Sequence, residues 1–245
     1  MNSDIRFISI FFLSSLFFNI NCDKKLSIPP DMGSDKKISD TVTDIDGNKY
    51  KTIKIGTQWW MAENLKVTHY RNGDPLNKVV TNIFYLDTGA YCAYEYKDSL
   101  SNIYGYLYNW AAVADTRNLA PEGWHVPITK EWETLVYFLG GGLASAKLKE
   151  SGTSHWSSPN TDATNESGFT ALGAGVRGFT NYGNPFGFYY GNPFSYLGKE
   201  ACFWSREELY DPIAANYFSL TNLNYSLQFG TTERLLCMSV RLVMD

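Results

Sequence analysis

The pattern of apolar and polar residues is clearest between Lys130 and Leu139, where Trp132, Leu135, Val136 and Leu139 fall at i, i+3, i+4 and i+7. That spacing puts four large apolar groups on one face of an amphipathic helix. Pro127 fixes its own φ and pushes Val126 toward an extended conformation, so the stretch from Gly123 ends as a strand or turn and the helix starts just beyond it. The run Gly140 to Gly142 tolerates positive φ, where a helix can stop with its carbonyls satisfied. A further helix is predicted over Gly105 to Ala114, with Leu107, Trp110, Ala111 and Ala114 as its buried stripe, and a short third one over Ala144 to Glu150. Alternation dominates elsewhere. Thr41 to Ile45, a turn at Asp46-Gly47-Asn48 and the run Tyr50 to Ile55 predict a hairpin. Trp59 to Leu65 continues the core, and Tyr85 to Tyr96 reads as a strand region. Past Gly152 the chain is Gly, Asn, Ser, Thr and aromatic residues in short alternating runs, which predicts strands and long loops. The sum is an α+β domain.

The N-terminus differs from the rest. Phe7 to Leu13 and Leu16 to Phe18 form an apolar stretch, broken by serines, that stops at Cys22 and is too short to span a bilayer comfortably. It resembles a bacterial lipoprotein signal peptide, although Asn21 replaces the usual small residue before the cysteine. The expectation is a signal peptide over 1–21, a lipid-anchoring Cys22, a flexible tether over 22–40 rich in Pro, Gly, Asp and Lys, and one domain over 41–245. This places the protein in the cell envelope, held to a membrane by its lipid.

Charge and composition narrow the partners. A net charge of −4, with no cluster of Lys or Arg beyond short pairs such as Lys24-Lys25 and Lys36-Lys37, offers no electrostatic footprint for nucleic acid. The 44% hydrophobic and 16% aromatic content is ample for a packed core. After Cys22, three cysteines remain: Cys92, Cys202 and Cys237. An oxidising compartment leaves two readings open, a Cys202–Cys237 disulfide in the C-terminal β-rich part or three small buried apolar residues.

Candidate chemistry is sparse. Asp44-Ile-Asp46-Gly-Asn48 looks like the start of a calcium loop but lacks the later ligands, so a hairpin turn is the better reading. His69, His125 and His155 are far apart, with no zinc-binding His pair on a helix, and there is no nucleophile elbow. No catalytic group, metal or cofactor is assigned. The most suggestive feature is a repeat, Tyr182-Gly-Asn-Pro-Phe186 and Tyr190-Gly-Asn-Pro-Phe194, within a loop dense in rings. Those rings either pack on the domain or present a flat platform; in the second case Tyr182, Phe186, Tyr189, Tyr190 and Phe194 would bind an extracellular glycan or protein.

Several separated motifs resemble one family. They are Asp44-Ile-Asp-Gly-Asn-Lys-Tyr50, Ile55-Gly-Thr-Gln-Trp-Trp-Met-Ala-Glu-Asn-Leu65, Tyr104-Gly-Tyr-Leu-Tyr-Asn-Trp110, Pro121-Glu-Gly-Trp-His-Val-Pro127, Asn165-Glu-Ser-Gly-Phe169, Phe203-Trp-Ser205 and Ser239-Val-Arg241. In this order they resemble the Fibrobacter succinogenes major paralogous domain family. The resemblance implies a C-type-lectin-like fold, with two main helices on twisted antiparallel sheets and long loops. Ala120 and Leu242 stand where that family often has cysteines, which fits loss of one disulfide and a Cys202–Cys237 replacement. Ile128 stands where a capping threonine is usual, so Thr129 is expected to cap the helix. Val126 to Trp132 also looks like a segment of formylglycine-generating enzymes, which share the lectin-like fold. Their copper-binding cysteine pair has no counterpart close in this sequence, so a metal-dependent oxidase is the alternative to a binding module. The Glu-Pro-Asn, Gln-Pro-Asp and Trp-Asn-Asp triplets of calcium-dependent lectins are absent.

Overall fold

The computed structural model describes residues 41–245 except 82–86, 179–191, 208 and 224–226. The expected signal peptide, Cys22 and the tether lie outside the described residues, as do Tyr182, Phe186, Tyr189 and Tyr190.

The chain opens with β1 (Thr41–Thr43), β2 (Lys49–Ile55) and β3 (Gln58–Met61). The predicted hairpin is there, with Gly47 at φ 83° in its turn. Asp44 organises that turn: Oδ1 accepts from the backbone N of Asp46 and Asn48, at 3.0 and 2.9 Å, and Oδ2 accepts from Tyr50 Oη. The acidic run is spent on turn geometry. Then come β4 (Asn77–Lys78), β5 (Ala90–Cys92), helix α1 (Asp98–Tyr104), β6 (Leu107–Asn109) and helix α2 (Trp110–Ala114). This corrects the single helix expected over Gly105 to Ala114. Leu107 to Asn109 are extended, and the Asn109 side chain accepts from Ala112 N at 3.1 Å, so helix geometry starts only at Trp110. Gly105, at φ 75°, ends α1 where a Cβ would meet Leu65 O at 2.8 Å.

Next are β7 (Trp124–His125), helix α3 (Thr129–Phe138) and helix α4 (Ala144–Leu148). Trp132, Leu135, Val136 and Leu139 are buried as their spacing requires, and Gly140 and Gly141 have positive φ after α3. The capping expectation is corrected. Ile128 holds the N-cap position with no side-chain acceptor, and Glu131 Oε2 reaches back to Ile128 N at 2.9 Å. Thr129 is the first helical residue; its hydroxyl bonds Glu207 and Ser205 instead.

The C-terminal half supplies β8 (Ala174–Arg177), β9 (Phe194–Leu197), β10 (Glu200–Trp204), β11 (Ala214–Thr221), β12 (Leu227–Glu233), β13 (Cys237–Met238) and β14 (Val243–Met244). Two sheets result. One runs β1-β2-β3-β14-β7; the other runs β12-β11-β10-β8-β13-β6-β5-β4, with β9 also on β8. The second departs from the antiparallel expectation, because β8 pairs with β10 and β4 with β5 in parallel. The fold is α+β, dominated by sheet.

Helix α3 seals one core cluster. Trp132 stacks on Phe218 at 4.7 Å and lies 4.7 Å from Trp60, with Phe169 and Phe203 around it. A second cluster gathers Tyr50, Met61, Tyr108, Trp110, Trp204 and Leu242. A third, smaller one holds Cys92, Leu107, Phe194 and Cys237.

Candidate functional site

The family-like motifs converge on one buried cation. Arg241 is fully buried; its Nε donates to Asn64 Oδ1 at 2.7 Å, and its Nη atoms donate to the carbonyls of Met61, Phe169 and Thr170 at 3.0, 2.5 and 2.9 Å. Its guanidinium also lies 4.3 Å from the Phe169 ring centroid. Burial pulls its pKa down to about 9, which leaves it charged at neutral pH. Lys149 is treated alike: it is buried, and its Nζ donates to the carbonyls of Thr161 and Thr221 at 3.0 and 3.1 Å. These are fasteners joining distant segments, and they leave no room for a substrate.

The Gly123 to Leu135 stretch is also scaffold. His125 Nδ1 lies 2.5 Å from Asp245 Oδ1, and Nε2 lies 2.8 Å from Glu131 Oε1. The bond to Glu131, joined by Asp245 and opposed by burial, raises the His125 pKa. His155 pairs with Glu150 and His69 with Asp46, so each histidine faces a carboxylate on a separate part of the surface.

Of the rings expected to form a binding platform, Phe194 is described, and it is 6% exposed. It packs edge-on against Tyr96 at 4.8 Å and lies 4.9 Å from Tyr94. That corrects its assignment as a ligand contact: Phe194 is core, as the packing alternative required. The Cys202–Cys237 disulfide is likewise not formed. All three thiols are free and buried; Cys202 Sγ points at Glu200, 3.7 Å away, whereas Cys237 lies with Cys92 in a different cluster. Strand register turns the two expected partners apart: the parallel bridge between Phe203 and Ser239 sets Cys202 beside Met238, one position from Cys237, so the two thiols leave on opposite faces and enter different clusters. Ala120 and Leu242 are both fully buried in one cluster.

A polar cleft sits beside the first hairpin. Its volume is about 180 Å³, and it is lined by Asp46, Asn48, Lys66, Thr68, Ser101, Asn102 and Tyr106. Asp46 is set by three contacts: Oδ2 accepts from Thr68 N at 2.5 Å and Thr68 Oγ1 at 2.9 Å, and Oδ1 faces His69 Nδ1 at 2.5 Å. Burial pushes the Asp46 carboxyl up, but the bonds from Thr68 and His69 prevail and hold it below the usual carboxylate range. Asn48 Nδ2 donates to Asp44 Oδ2 at 2.9 Å, which aims its amide. Lys66 Nζ stands 5.7 Å over the Tyr50 ring, and its backbone N donates to Tyr50 Oη at 2.9 Å. Tyr106 is braced edge-on by Tyr91 at 4.7 Å. The cleft therefore offers a carboxylate, two amides, hydroxyls, an ammonium and a ring, all within a space smaller than the usual drug-sized pocket. Among the described residues, no group of three His, Cys, Asp or Glu could hold a metal.

Comparison with known families decides the membership. The Fibrobacter succinogenes major domain profile matches residues 53–244. The chain belongs to that family. No curated protein and no solved structure matches it. Arg241, Asn64 and Phe169 thus lie within the span matched to the Fibrobacter succinogenes major domain, and in this member they meet in one buried hydrogen-bonded knot. The cleft residues were not singled out in the sequence as a group. Asp46 and Asn48 were visible within the turn motif, but their meeting with Ser101 and Asn102 depends on the packing of α1 against the hairpin.

Proposed function

We propose that the protein is an exported envelope lipoprotein, anchored through Cys22, whose domain is a C-type-lectin-like module that binds an extracellular glycan. The cleft beside the first hairpin is the observation that carries this reading. Sugar rings are recognised by planar carboxylates and amides that bond adjacent hydroxyls, with an aromatic ring beneath the C–H face. Asp46, Asn48, Asn102 and Tyr106 supply those groups, and the volume suits one sugar unit of a longer chain. Prior fixing of Asp46 by Thr68 and His69 lowers the ordering cost of binding. The apolar stretch ending at Cys22 supports export and lipidation.

Glycan-array and cell-wall pull-down assays on the detergent-solubilised full chain test the ligand. Binding that is lost in Asp46→Ala and Asn102→Ala supports the cleft. Binding that survives both but disappears when Tyr182, Tyr189 and Tyr190 are replaced by alanine moves the site to the aromatic segment, and no binding at all rejects the glycan reading. The anchor is tested separately by metabolic labelling with an alkynyl fatty acid, which should mark the wild type and spare Cys22→Ser.

A further inference from the structure

Helix α1 turns Asp98, Ser101 and Asn102 onto one face, because they stand at i, i+3 and i+4. Ser101 and Asn102 line the cleft beside the first hairpin, so Asp98 extends that wall by one helical turn. Ser101 Oγ donates to the Asp98 carbonyl at 2.8 Å, which ties the two positions together. The Asp98 carboxylate in turn accepts from Lys78 Nζ at 2.7 Å, a bond that joins α1 to β4. A second connection runs across the sheet. Tyr106 lines the cleft, its ring meets Tyr91 edge-on at 4.7 Å, and Tyr91 is in register with Lys78 on β4 and Tyr108 on β6. Residues in register on neighbouring strands leave the sheet on one face, so Lys78 and Tyr106 stand on the same side, with the buried Tyr91 as the brace between them. Because β5 separates β4 from β6, this row crosses about two strand spacings, roughly 10 Å, which exceeds the width of one pyranose ring.

We propose that the cleft is the first of two adjoining subsites and that Lys78 and Asp98 form the second, so that the domain takes two or more consecutive units of a polysaccharide rather than a single sugar. This rests on the glycan reading above and adds where the next unit lies. Among the described residues, Asp98 Oδ1 has no partner, and Lys78 spends one of its three ammonium donors on Asp98. Neighbouring hydroxyls of one sugar ring match such a pair: one donates to Oδ1 while the next accepts from Nζ. Both side chains are exposed, so their mutual bond is screened by solvent and a ligand can share it without loss of a core contact. Tyr106, between the two subsites, offers its ring to the C–H face of either unit.

The full chain in detergent is titrated calorimetrically with glucose, N-acetylglucosamine, mannose and xylose, each as the single sugar and as β-1,4-linked chains of two to four units; where a glycan array selects another sugar, its series of the same lengths is used. In a series that binds, affinity should rise about tenfold from one unit to three, the scale of one or two added hydrogen bonds. Lys78→Ala and Asp98→Ala should each abolish that rise. A loss equal at every length would assign these residues to folding alone and overturn the proposal. Should a variant not fold, carboxyl footprinting of the wild type decides: carbodiimide coupling of glycine ethyl ester should label Asp98 more slowly with the three-unit chain bound than with the single sugar bound, and equal labelling would overturn the proposal. A wild type that binds one unit as tightly as four rejects the second subsite and leaves the glycan reading standing. Binding to no sugar of any length rejects that reading and the second subsite with it.

Discussion

Replacing Arg241 by methionine tests the claim that one buried guanidinium holds the domain together. Methionine keeps much of the apolar stem and removes the donors, so Asn64 Oδ1 and the carbonyls of Met61, Phe169 and Thr170 lose their Arg241 partner in a dry core. Each buried acceptor without a donor costs about 1–3 kcal/mol, so four set a scale of about 4–12 kcal/mol. Removing a buried charge returns several kcal/mol of desolvation, which brings the expected net loss to about 4 kcal/mol. Against a total stability of about 5–15 kcal/mol, that is a large fraction. With a urea m value of about 2–3 kcal/mol per M, the midpoint should fall by about 1.3–2 M. Urea titration followed by tryptophan fluorescence reads this directly, because Trp60 and Trp132 lie in the neighbouring cluster. Lys130→Met is the control: its ion pair with Glu133 on α3 is exposed at both ends, so its midpoint should stay at the wild-type value. A net loss under about 1 kcal/mol for Arg241→Met, with an unchanged m value, would refute the accounting of unsatisfied acceptors.

Three further outcomes are expected. His125 has a raised pKa when folded, so its contribution is full below the unfolded value of about 6.5 and is lost as pH rises through the folded value. Urea midpoints of the wild type should therefore fall between pH 6 and 9 more steeply than those of His125→Gln, and parallel curves would contradict the assignment. Gly175→Ala should disrupt the β8–β9 pairing, because φ is 65° and a Cβ would lie 2.4 Å from Ser195 O. Faster amide exchange at Val176 and Leu197 would report it. Trp132→Ala should cost about 3–5 kcal/mol, since the ring is fully buried among Trp60, Phe203 and Phe218. A thermal melt that matches the wild type would show that the cluster is not the core it resembles.

Helix α3 was legible because its information is local: four apolar residues at helical spacing, a proline before and glycines after. The hairpin was legible for the same reason. Residues 105–114 misled because Leu107, Trp110, Ala111 and Ala114 satisfy a helical period, while the Asn109 cap that starts α2 late is a single side-chain bond. Arg241 stood out as part of a motif, yet its partners at 61–64 and 169–170 are set by tertiary packing, so its role could not be read from spacing. The cleft was half visible: its turn residues are contiguous, whereas Ser101 and Asn102 arrive from α1.

Strand β14 lies between β3 and β7, with Val243 opposite both Trp60 and His125. The sheet built by the first residues of the domain is thus completed by the last ones. Until Val243 and Met244 are available, β3 and β7 each present an unpaired edge, and the first hairpin has no neighbour on that side. Such wiring makes closure of this sheet wait on contacts of great sequence separation, so its completion is slow compared with that of the first hairpin, whose contacts are local.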